Sequence, residues 1–106
     1  MAPAAIPVRT VPALSLADRV LLAEWTSLHP CGLRARIVAG QAEAGADVVA
    51  VYRHSPAQSL WFITPDPHGM MLLSRAEEAD AAPLESLEAA LGEIVHIEAE
   101  ILPTIF

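Results

Sequence analysis

The chain has no lysine, no asparagine and a single cysteine, Cys31, among its 106 residues. One cysteine excludes an internal disulfide, and with it the disulfide-scaffold class of small domains. Without lysine, the six arginines are the whole basic complement against thirteen acids, for a formal net charge of −7. Abundant alanine beside this arginine bias points to codon usage, so no arginine-specific function follows from it. No apolar run reaches the ~18 residues of a membrane-spanning helix, because Arg, Asp or Glu recurs throughout. The first 25 residues lack a basic cluster followed by a long apolar core, so no secretory signal is read and a cytoplasmic location is the expectation. The glycines at 32, 40, 45, 69 and 92 form no phosphate-binding fingerprint, and no CxxC or HExxH pattern occurs.

What is present is apolar. The hydrophobic fraction is 54% and the mean hydropathy +0.42, high for a small monomer, so the excess belongs to a core or to a subunit interface. The length suits one domain able to fold without disulfides or metal. Charge is unevenly placed: all six arginines lie at or before Arg75, while the last 31 residues carry eight acids and no base. Such a surface repels nucleic acid, whose affinity for proteins comes largely from neutralised phosphates. Neither a nucleic-acid nor a membrane partner is expected.

Residues 1–13, with Pro3, Pro7 and Pro12, read as a flexible extended arm, leaving a single α+β domain over 14–106. Ser15-Leu16-Ala17-Asp18 has the form of a capping box and opens a helix over about 16–28, which stops before Pro30. Four strand-like runs follow at 33–39, 46–53, 59–64 and 70–74, separated by short turn-forming pieces that favour an antiparallel meander. Pairing Ala39 with Ala46, Arg53 with Gln58 and Thr64 with Gly69 places Val48, Ala50, Trp61 and Ile63 on one face. It places Val49, Val51, Phe62 and Leu73 on the other. Both faces are apolar, whereas a sheet with one wet face alternates more cleanly. Pro83 then suits the first turn of a second helix carrying Leu84, Leu87 and Leu91, with Gly92 as its stop. The β-branched residues after Gly92 favour a C-terminal strand over 93–102, with extension of the helix as the alternative.

Chemistry-bearing residues are few. His29-Pro30-Cys31-Gly32 invites a pocket reading in which His54 or His68 supplies a base to the thiol. The structural reading is stronger: Pro30 blocks the helix, Gly32 permits the turn, and Cys31 serves as a small buried apolar residue. Arg34, Arg36 and Arg53 form a candidate anion site at one sheet end, with edge-strand solubility as the plainer role. His96-x-Glu98-x-Glu100 would align on one face of a strand, as a solvated surface. No catalytic residue, metal site or cofactor is assigned. The expectation is a non-enzymatic interaction or adaptor module acting as a homodimer or on a protein partner. The alternative is a small ligand-binding or enzymatic domain with a His/Cys pocket.

Overall fold

The computed structural model describes residues 14–39, 47–66, 68–78 and 80–101. The expected arm over 1–13 lies outside them. Ser15 caps the first helix, α1 (Leu16–Leu28), through a reciprocal capping box with Asp18, as its spacing predicts. His29 ends the helix in the left-handed conformation, and a single 3-10 turn over Pro30–Gly32 leads into the sheet. Five strands follow in sequence order as an antiparallel meander: β1 (Arg34–Val38), β2 (Val48–Tyr52), β3 (Ser59–Pro65), β4 (Met71–Arg75) and β5 (Ala82–Leu84). The second helix, α2 (Leu87–Ile101), completes an α+β fold.

The sorting of side chains between the two faces differs from the sequence-based register. Near the turn, Tyr52 faces Ser59, as the pairing of Arg53 with Gln58 requires. An irregularity between Val51 and Tyr52 then moves the rest by one, so Val51 faces Trp61 and Val49 faces Ile63. A one-residue shift exchanges the faces of a strand. The inner face therefore gathers Ala35, Val51 and Trp61, then Ile37, Val49, Ile63 and Leu73, and both helices pack on it. At the β3–β4 hairpin Pro65 pairs with Met71 and Thr64 with Leu72, a three-residue difference from the expected Thr64–Gly69 pairing. The turn there is held by backbone bonds from Asp66 to Met70 and from Gly69 to Asp66. The Asp66 carboxylate also accepts the His68 N–H at 2.9 Å, so the aspartate does turn work.

Two expectations for the C-terminal third are corrected. Pro83 lies in the short edge strand β5, paired with Leu72, where a missing N–H is tolerated. The helix begins later, at Leu87, with the Ser86 hydroxyl accepting the Ala89 N–H at 3.1 Å. It then runs through Gly92 to Ile101, so the favoured strand over 93–102 is replaced by the alternative of helix extension across 93–101. Helical spacing wins because Leu87, Ala90, Leu91 and Ile94 form one stripe, each at most 2% exposed against the sheet. That burial outweighs the weak strand preference of Val95 and Ile97.

Gly92 sits on the exposed side of α2, and an added Cβ there meets nothing within 4 Å. Gly92→Ala should therefore stabilise the protein by about 0.5–1 kcal/mol, raising the melting temperature by several degrees. Gly32, at φ +76°, should show the opposite sign: Gly32→Ala lowers the melting temperature. Thermal unfolding of the two variants followed by circular dichroism checks both signs.

Candidate functional site

Two features stand out from the bland parts of the fold: a buried carboxylate and an apolar sheet face without a helix. Glu98 continues the buried stripe of α2, four residues beyond Ile94, and is only 6% exposed. Its Oε1 accepts from Arg53 Nη2 at 2.7 Å, and its Oε2 accepts from the Trp61 indole N–H at 3.0 Å. Arg53 Nε also donates to the Cys31 carbonyl at 3.3 Å. Across the Trp61 ring, 4.6 Å from its centroid, lies the Arg75 guanidinium. Burial pushes the Glu98 carboxyl up, but the hydrogen bonds from Arg53 and Trp61, with the positive charges of Arg53 and Arg75, outweigh it. The net pKa lies below the ordinary 4.5. This network ties α2 to the end of β2, to the middle of β3 and to the turn after α1, and every partner comes from the chain itself. It is a structural clamp.

Beside it, an open concavity of about 290 Å³ lies between β4, β5 and α2, lined by Trp61, Leu73, Arg75, Ala82, Glu93 and Ile97. None of the sequence-selected histidines lines it. His29 and Cys31 occupy the turn after α1, both with positive φ (49° and 53°), so their spacing serves backbone reversal. Cys31 is half-buried, packs against the core and has its Sγ 4.0 Å from the Val95 carbonyl. Exposed His54 follows β2, on the side of the sheet where Arg53 meets Cys31, whereas exposed His68 lies beyond the far end of β3. A seven-residue strand spans roughly 20 Å, so the structure does not bring His68 to the other three.

Of the candidate anion site, Arg53 faces Glu98, while Arg34 and Arg36 project from the edge strand β1 on the outer face. Arg36 donates to the Pro56 carbonyl at 3.3 Å. The expected alignment of His96, Glu98 and Glu100 is undone by the helix: His96 pairs with Glu100 at 3.5 Å in solvent, and Glu98 turns inward. Among the described residues no group of three or more His, Cys, Asp or Glu is placed to hold a metal ion.

The outer face follows from the same register. Val38 lies beside Val48, Ala50 beside Phe62, and Leu72 beside Thr64 and Pro83. Ala50, 1% exposed, floors a concavity of about 240 Å³ walled by Arg36, Val38, Pro56, Ala57 and Phe62. Val38, Phe62 and Leu72 are half-buried, and no described helix lies over them. Sequence reasoning recognised that both faces are apolar. It placed Glu98 on a solvated strand face, and the signal for its burial was an acidic residue at helical spacing from Leu91 and Ile94.

Glu98→Gln keeps an acceptor for Trp61 but removes the charge facing Arg53, and should cost about 1–3 kcal/mol at neutral pH. Because the folded pKa is depressed, the stabilisation is fully present above the ordinary value of 4.5 and is lost as pH falls through the folded value. The gap in melting temperature between the parent and Glu98→Gln should therefore be constant near neutrality and close in acid; a gap that widens in acid would contradict the clamp. Comparison with family models, with curated proteins and with solved structures gave no match to this chain.

Proposed function

We propose that the protein is a non-enzymatic interaction module that self-associates through the outer face of its sheet. The observation that carries this reading is the row of Val38, Val48, Ala50, Phe62 and Leu72 on the side of the sheet opposite both helices. An isologous dimer satisfies such a surface with one self-complementary patch, because a two-fold axis brings the same apolar patch to both sides of the contact. The face is small. Four or five strands of five residues present a projected area of roughly 400 Å², about half the area each partner contributes to a standard stable interface. Association in the micromolar range is the corresponding expectation, and the same patch is available to a different apolar partner.

The polar side chains with the strongest mutual contacts, Arg53, Glu98 and Trp61, are hydrogen-bonded to one another, which suits a structural role. The exposed acids Glu88, Glu93 and Glu100 keep the outward side of α2 solvated, whereas α1 carries exposed Leu16, Val20 and Leu28 singly along its length.

Sedimentation equilibrium tests the reading directly. The parent chain should move from monomer towards dimer across the micromolar range. Phe62→Lys, which places a charge on the patch without entering the inner core, should remain monomeric with an unchanged far-ultraviolet spectrum. A parent that stays monomeric up to millimolar concentration overturns the homodimer.

A further inference from the structure

The sheet has a second surface able to pair with another copy of the chain, and it is closed from within. Among the described residues β1 is an edge strand, bonded to β2 on one side. Along an edge strand the backbone groups of alternate residues point outward, and an unpaired row of them is a template for strand addition. Here the outward residues are those in phase with Ala35, namely Leu33, Ala35 and Ile37. The Leu33 N–H is taken by the Pro30 carbonyl at 2.9 Å. Both groups of Ala35 are taken by one side chain: its N–H donates to Thr26 Oγ1 at 3.0 Å, and the Thr26 hydroxyl donates to its carbonyl at 3.2 Å. Thr26 is half-buried on α1, with Leu22, Ala23, Ala35 and Ile37 around the groove between helix and edge. Among the described residues no partner takes the outward groups of Ile37.

A second obstacle is electrostatic. An antiparallel pairing of two β1 strands centred on Ala35 sets Arg34 of one copy directly opposite Arg36 of the other, twice. Like charges directly opposite across a strand pair are destabilising. Arg34 and Arg36 are both exposed, and no ion pair with a described acid offsets them.

We propose that Thr26 is an edge lock: its hydroxyl occupies the central backbone rung of β1 and, with Arg34 and Arg36, closes that edge to pairing with a second copy. The lock completes a half-buried strand edge that α1 lies beside, through a single polar side chain on that helix. It also explains a threonine near the end of a helix, where β-branching is mildly unfavourable. The proposal does not rest on the sheet-face dimer, since it concerns a different surface and is read relative to the parent chain.

The test compares the parent with Thr26→Ala/Arg34→Thr, which removes the side-chain atoms against both groups of Ala35 and removes the opposed charges. At equal concentration the double variant should have at least twice the weight-average mass of the parent in sedimentation. Adding Ala35→Pro, which removes the freed N–H, should return the mass to the parent value. Thr26→Ser/Arg34→Thr keeps the hydroxyl and should stay at the parent mass. A folded double variant at the parent mass overturns the lock, as does a mass increase that Ala35→Pro leaves intact. Amide exchange in the parent gives an answer even where the double variant fails to fold. The Ala35 N–H should exchange at least tenfold more slowly than the outward N–H of Ile37, and equal rates overturn the proposal.

Discussion

The strands are apolar on both faces, and the two helices lie on only one of them. Most of what the molecule does structurally follows from this imbalance. The irregularity between Val51 and Tyr52 decides which apolar set goes inward, sending Val49 and Val51 to the helices with Trp61 and Ile63. That choice leaves Val48 and the smallest side chain of β2, Ala50, on the outer face between Val38 and Phe62. A flat patch with a small-residue floor is a surface that another flat patch can approach closely. The apolar excess in the composition is thereby divided between a core and an interface, with no long apolar segment required.

The inner layer is held in register by the one buried charge among the described residues. An apolar stripe such as Leu87, Ala90, Leu91 and Ile94 specifies burial but tolerates sliding and rotation, since one leucine contact resembles another. Glu98 does not tolerate it: a buried carboxylate away from Arg53 and Trp61 would be an uncompensated charge. Its contacts join β2, β3, α2 and, through Arg53 and the Cys31 carbonyl, the turn that ends α1. At the other side of the same layer, Thr26 fixes α1 to the backbone of β1. Each helix is thus positioned by polar contacts, on α1 also by the Arg19–Asp47 ion pair, against a largely apolar background, a division in which apolar burial supplies stability and polar pairing supplies specificity.

The parts legible in the sequence were those governed by local chemistry. Ser15 and Asp18 start α1 where their spacing says, and the Asp66–Gly69 turn forms the expected hairpin. The parts that were not legible depend on contacts between distant residues. A strand bulge leaves no fixed signature, so the face assignments of Val48 to Val51 came out exchanged relative to Trp61. The segment after Gly92 has strand-forming residues, and only the sheet beneath it makes the helical stripe the better burial. Once that segment is a helix, Glu98 falls on the stripe and its need for a partner becomes evident; read as a strand, it looked like solvated surface. Cys31 and His29, the most conspicuous residues in the sequence, occupy turn positions with positive φ.

The claim on which this account turns is that the outer face of the sheet is the surface of association. Methyl resonances followed against protein concentration test it residue by residue. The account predicts that signals of Val38, Val48, Ala50 and Leu72 move together with one dissociation constant, while those of Leu16 and Val20 on exposed α1 stay fixed. Shifts confined to α1, or an outer face unchanged at every concentration, would contradict it.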